Sequence, residues 1–244
     1  MSVKTYRVHA IVLRHQDLGE ADRIVTLFTR ERGIVRAVAK GVRRTKSRFG
    51  ARLEPFSLVD LQLYEGRSLD VVTQAESIHQ FGRKIVASYE AYTSASAMVE
   101  VTERLLPAEG EPDAELFRLL HGALAAVASG DRAPDLLMNS YIVRALAHAG
   151  WELAIFECAK CAIEGPHEAF NVYAGGAVCD DCRPAGSATP SVETWQLLAA
   201  LSVGDWRIAT QADESARKAA AGLIAAYAQF QIERSVRSLK LANR

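Results

Sequence analysis

The stretch Phe56-Ser57-Leu58-Val59-Asp60-Leu61-Gln62-Leu63-Tyr64 decides the fold of the first part of this chain. Val59, Leu61 and Leu63 fall at alternate positions, separated by Asp60 and Gln62. A period of two marks a strand with one face buried and the other wet. Upstream, Val8–Leu13, Arg23–Phe28 and Ile34–Ala39 are short runs heavy in Val, Ile and Phe, side chains that pack well on a pleated surface. Downstream, Leu69–Thr73 is a fifth such run. Gly19, Gly33, Gly41, Gly50 and Gly66 stand in the gaps as turn residues. Five short strands in about 75 residues predict a small closed barrel, and the oligonucleotide-binding (OB) fold is its five-stranded form.

From Ile85 the period lengthens. Ile85, Tyr89, Tyr92, Ser96 and Val99 lie at helical spacing, and Pro107 follows the end of the run. A second helix is predicted over Asp113–Ser129, with Leu116, Leu119, Leu120, Ala123, Leu124 and Val127 as its apolar stripe and Gly130 as its stop. Others are predicted over Pro134–Ala149, over Ser191–Val203, and from Asp213, a suitable N-cap, to the neighbourhood of Lys240. The fold class is therefore α+β and multidomain. An OB barrel over residues 1–80 precedes an α-helical domain over 81–152 and 188–244, which a cysteine-bearing insertion over 153–187 interrupts.

That insertion holds Cys158-x-x-Cys161 and, after seventeen intervening residues, Cys179-x-x-Cys182. Each Cys-x-x-Cys knuckle puts two thiolates on one side of a tight turn, and two knuckles complete a tetrahedron around one divalent ion. The spacing favours a single structural zinc over an iron–sulfur cluster. Four protein ligands leave no open position, which argues against catalysis at the metal. Gly175 and Gly176 allow the chain to turn back before the second pair.

The third strand and the loop after it carry Arg32, Arg36, Lys40, Arg43, Arg44, Lys46, Arg48 and Arg52 without a single acid. An even spread of 29 Lys and Arg over 244 residues would place roughly two or three there. The chain's formal net charge is zero, but residues 1–75 hold 14 basic and 8 acidic side chains, and residues 76–244 hold 15 and 21. A one-sign field on a neutral protein predicts a polyanionic partner, most commonly nucleic acid held through its phosphates. Phe49, inside the block, is either a stacking platform for unpaired bases or a core residue anchoring the loop. No base-reading motif accompanies the block, so sequence preference is expected to be weak.

Several chemistries are excluded. Gly41-Val42-Arg43-Arg44-Thr45-Lys46-Ser47 resembles the end of a phosphate-binding loop, but Thr45 replaces the glycine that the backbone cradle needs. His167-Glu168 begins like a zinc-protease helix, yet Asn171 stands where the second His belongs. The cysteine segment lacks the His-x-Glu of a nucleobase deaminase. Asp17, Glu20 and Asp22 could hold a metal, but a loop charge cluster is the simpler and preferred account of them. No catalytic arrangement emerges, and the chain does not read as an enzyme. The N-terminus lacks the apolar run of a signal peptide, and the longest low-polarity run, Ala219–Ala228, is too short to span a bilayer. A cytoplasmic protein with reduced thiols is expected.

The runs His9–Leu13, Leu18–Gly33, Ala39–Phe49 and Leu53–Phe56 resemble the N-terminal part of the RecO family of bacterial recombination mediators. Beyond Glu76 the similarity lies in helix pattern, cysteine segment and length, and the full cysteine set places the chain with the zinc-bearing members. The resemblance implies a role in DNA repair and homologous recombination, at the nucleoid in the bacterial cytoplasm. It implies binding of single- and double-stranded DNA and annealing of complementary strands without ATP. It further implies partnership with RecR and single-stranded DNA-binding protein (SSB), and assistance to RecA loading on SSB-coated DNA. Lys40, Arg43, Arg44, Lys46 and Arg48 fall in the stretch expected to meet DNA. Two other readings compete: a protein-binding scaffold built on the acidic helical body, and a zinc-containing RNA-binding protein on the same barrel.

Overall fold

The structure, a computed structural model, describes residues 4–45, 47, 49–106 and 111–242, with backbone alone for 234–242. Lys46, Arg48 and Pro107 lie outside the described residues. The chain forms two compact units, Met1–Asp131 and Arg132–Arg244.

Five strands, β1 (Thr5–Leu18), β2 (Asp22–Thr29), β3 (Gly33–Ala39), β4 (Ser57–Tyr64) and β5 (Asp70–Gln80), close into a barrel of order β1-β2-β3-β5-β4. Strand β4 returns to β1 with Val8 opposite Leu61, which completes the closure. The β3–β5 pairing is parallel, Ala37 opposite Asp70 and Val38 opposite Val71, and the other pairings are antiparallel. This is the OB barrel expected from the strand pattern. The alternation in β4 works as read: Val59, Leu61 and Leu63 are each 0% exposed and meet Val8, Ala10, Val25 and Leu27 in the barrel core.

Ala10 to Leu13 is buried at every position, which a half-wet strand would not show. Helices cover the outside of the barrel in this unit. They are α1 (Gly82–Ile85), α2 (Tyr89–Leu105) and α3 (Ala114–Ser129). Phe28 on β2 meets Phe117 on α3 edge to face at 5.4 Å, and the Arg14 guanidinium of β1 donates to Glu103 of α2 at 2.8 Å. Strand β1 bears a bulge between Val12 and Arg14, which re-aims its side chains along a strand of 14 residues.

Two readings need correction. Strand β5 runs on past Thr73 to Gln80, because ladder hydrogen bonds with β4 continue through a largely polar stretch that carries no apolar alternation. Helix α2 begins only after Ser88, whose hydroxyl accepts from the Ala91 N–H at 3.3 Å. Its buried face is Ala91, Ser94, Ala95, Met98, Val99 and Thr102, so Val99 of the predicted stripe is buried, whereas Tyr89 is 82% exposed. Small side chains make up most of this face, and a search for large apolar residues finds Val99 but also takes in the exposed Tyr89 and Tyr92.

The second unit holds α4 (Pro134–His148), a hairpin of β6 (Ala169–Asn171) and β7 (Gly176–Val178), then α5 (Val192–Val203), α6 (Trp206–Ala209) and α7 (Glu214–Ala242). The Ser191 and Asp213 side chains accept from the Thr194 and Ala216 N–H groups at 3.2 and 2.7 Å, so Asp213 is the N-cap expected and Ser191 caps α5 in the same way. The Ser140 hydroxyl donates to the Leu201 carbonyl at 2.7 Å and ties α4 to α5. Arg217 of α7 pairs with Asp135 at the start of α4. Among the described residues no helix is long and apolar enough to cross a membrane.

Candidate metal centre and cationic loop

The insertion has almost no core of its own. Its apolar centre is Cys158, Ala169 and Val178, with Ala174, Cys179 and Cys182 packed against them. Gly176 is required where the hairpin crosses the incoming chain: φ is +142°, and a Cβ there would sit 2.1 Å from the Ala154 carbonyl oxygen. The Asn171 side chain accepts from the Tyr173 and Ala174 N–H groups at 3.1 and 3.0 Å and closes the turn of the hairpin.

This framework brings Cys158, Cys161, Cys179 and Cys182 together, their sulfurs all within 4.8 Å of one another. Metal–sulfur bonds of about 2.3 Å in a tetrahedron imply sulfur–sulfur edges of about 3.8 Å. The Cys161–Cys179 separation is 3.7 Å, far beyond a disulfide bond, and the set has the dimensions of a four-thiolate metal site. Burial opposes ionisation of Cys158, but N–H groups of Cys179, Cys161 and Lys160 aimed at its sulfur outweigh that and bring the thiol down to about 6. Cys182 is pushed up to about 12 by the neighbouring thiols of Cys179 and Cys161. Four crowded sulfurs cannot share one negative field unaided; a cation among them reverses the repulsion. These residues could hold a metal ion.

The base of the cationic loop is pinned to the turn between β1 and β2. The Gly41 N–H donates to Asp22 at 2.7 Å, and the Arg43 N–H donates to the Ala21 carbonyl at 3.0 Å. Asp17 pairs with Arg23 at 3.1 Å and with Arg43 at 3.4 Å. Two acids of the Asp17, Glu20 and Asp22 cluster therefore serve the loop architecture, which is the charge-cluster reading.

Beyond that base the cations divide. Arg32 lies over the Tyr6 ring, 3.8 Å from its centroid. Arg43 is shared with Asp17, and Arg52, half-buried, donates to the Phe49 carbonyl at 3.3 Å. Arg36, Lys40 and Arg44 are exposed and make no ion pair among the described residues.

Residues 1–81 match the family described as Recombination protein O N terminal, and residues 86–240 match the one described as Recombination protein O C terminal. The chain belongs to the recombination protein O family. Its role lies in DNA repair and recombination.

For a RecO-family barrel, Phe49 needs correcting as a candidate DNA contact. It is 1% exposed and sits in the barrel core with Leu53, so no base can stack on it. A Phe49→Leu change keeps the apolar anchor. It is expected to lower stability by about 1–1.5 kcal/mol, read as a smaller urea midpoint at unchanged slope. Single-stranded DNA affinity should stay the same, where loss of a stacking partner would remove about 1–3 kcal/mol. One cation was overlooked. Arg67, on the turn between β4 and β5, is exposed, and that turn contacts oligonucleotides in barrels of this type. As a single charge outside the block it gives no compositional signal; only the barrel topology points to it.

Proposed function

We propose that this RecO-family protein is a non-catalytic recombination mediator that binds single- and double-stranded DNA through the cationic side of its barrel and anneals complementary strands. With RecR it assists RecA loading on SSB-coated DNA. The observation that carries the DNA contact is the set of exposed cations Arg36, Lys40 and Arg44 on an OB barrel, which make no ion pair among the described residues. Arg32, Arg43 and Arg52 serve the same surface while also bracing it, and Lys46 and Arg48 belong to the contact by sequence. Phosphate neutralisation releases counterions and drives association with little dependence on base sequence. Two strands lying on one positive surface repel each other less, so complementary bases can meet and stack.

In this reading residues 1–80 are the nucleic-acid-binding domain, 81–152 and 188–244 the helical body, and 153–187 the metal-binding insertion. Cys158, Cys161, Cys179 and Cys182 hold one structural Zn2+, since four thiolates at this spacing suit a closed tetrahedral site. The protein works in the cytoplasm, at the nucleoid.

The test is annealing of complementary strands, each coated with SSB, with and without this protein. Addition of the protein is expected to accelerate duplex formation without ATP and to lose that effect as salt is raised. Annealing no faster than in its absence refutes the mediator role, whatever the simple DNA affinity.

A further inference from the structure

The second unit contains a groove of about 1190 Å3, bounded by residues 152–157, 164–168 and the start of α5. Small-molecule sites run to about 300–1,000 Å3, so this groove has room for a length of polypeptide. Its apolar part includes Phe156, Val192 and Trp195, of which Phe156 is 71% and Val192 67% exposed. Around them stand Glu152, Glu157, Glu164 and Glu168, all exposed, together with His167, and among the described residues no Lys or Arg lines the groove. Exposed apolar surface rimmed by charge marks an interaction site, and the sign of the rim selects the partner. Four carboxylates reject DNA and favour a segment that is at once cationic and apolar.

One stretch of this chain has that composition. Residues 234–244 carry Arg234, Arg237, Lys240 and Arg244 with no acid, interleaved with Val236, Leu239 and Leu241. Ile232, Val236 and Leu239 are spaced i, i+4, i+7, the pattern of one helical face. Helix α7 runs unbroken to Ala242. At about 1.5 Å per residue it continues about 16 Å past Gln231, where its described buried positions end. An unbroken helix carries this segment onward and does not double back.

We propose that the groove receives the C-terminal segment, residues 234–244, of a second copy of this chain. Carboxylates of the rim meet the arginines and lysine, and the apolar side chains of the segment cover Phe156 and Val192.

Sedimentation velocity on the full chain over a wide concentration range tests this. Three variants accompany the wild type: a groove set (Glu152→Lys, Glu164→Lys, Glu168→Lys), a tail set (Arg234→Glu, Arg237→Glu, Lys240→Glu), and both combined. The wild type is expected to self-associate reversibly. Each set alone should weaken association about tenfold or more, and the combined variant should recover it, because both charges are then reversed. Metal content and far-ultraviolet circular dichroism matching the wild type keep a folding defect apart from a lost contact. A wild type that stays monomeric up to near-millimolar concentration overturns the proposal. So does a combined variant no better than either set, or cross-linking of the tail to the groove within a single molecule.

Discussion

Replacing Arg36, Lys40 and Arg44 together by Ala is expected to lower single-stranded DNA affinity about a hundredfold near 0.1 M salt and hardly at all near 1 M. The figure follows from counterion release. Each phosphate neutralised on a single strand contributes about −0.7 to the slope of log affinity against log salt, so three contacts contribute about −2. Between 1 M and 0.1 M salt, a slope of −2 amounts to about two decades, or about 2.8 kcal/mol. The three cations are exposed and make no ion pair among the described residues, so their full charge is available to the strand. Arg43 is a built-in comparison. Asp17 already lies 3.4 Å from its guanidinium, so Arg43→Ala should change the slope by less than one of the three. Arg→Lys changes at Arg36 and Arg44 should preserve the slope, because the effect is charge and not fork geometry. Titration by fluorescence polarisation at several salt concentrations reads all of this. An unchanged slope in the triple variant removes the cationic side of the barrel as the DNA contact.

The barrel was legible because its core residues are large, apolar and evenly alternating: Val59, Leu61 and Leu63 could point inward only as one set. The cap Asp213 was equally legible, and the starts read at Asp113 and Ser191 fall on residues whose side chains also cap their helices. Helix α2 was read only in part, because its packing face is mostly Ala, Ser, Met and Thr, and Val99 is the one residue of the predicted stripe that this helix buries. The last residues of β5 were invisible for a related reason, as backbone pairing with β4 needs no apolar side chain. At the site, the thiols were legible because metal geometry is written directly into the Cys-x-x-Cys spacing. The cationic block was legible only as a total. Which charges are spent on Asp17, on the Tyr6 ring or on the Phe49 carbonyl depends on tertiary contacts between residues far apart in sequence. Phe49 itself could be either exposed or buried on composition alone, and the barrel core decided it.

Removing the metal, by exhaustive chelation or by Cys158→Ser with Cys161→Ser, is expected to unfold the insertion while the barrel stands. The apolar centre of the insertion is Cys158, Ala169 and Val178, and its strands are three residues each, too little to offset the entropy of ordering the segment. Structural zinc in zinc-finger peptides contributes an apparent free energy of about 10–16 kcal/mol, which in the proposed site would act as the folding energy of the segment. Amide protection across residues 153–187 should therefore collapse in hydrogen exchange. The loss should also reach the helices that the hairpin touches. Phe170 packs on Trp195 of α5 at 5.8 Å, and Tyr173 meets Phe230 of α7 at 5.1 Å. Protection at those contacts is expected to fall by a smaller factor, and the thermal transition of the second unit to move down. The barrel has its own core of Val8, Leu27, Leu61 and Leu63, so its amides and its salt-dependent DNA binding should change less than about twofold. Protection in the insertion that survives the loss of the ion would mean that the hairpin is held by its contacts to α5 and α7, with the four sulfurs ordered by the fold and not the fold by the sulfurs.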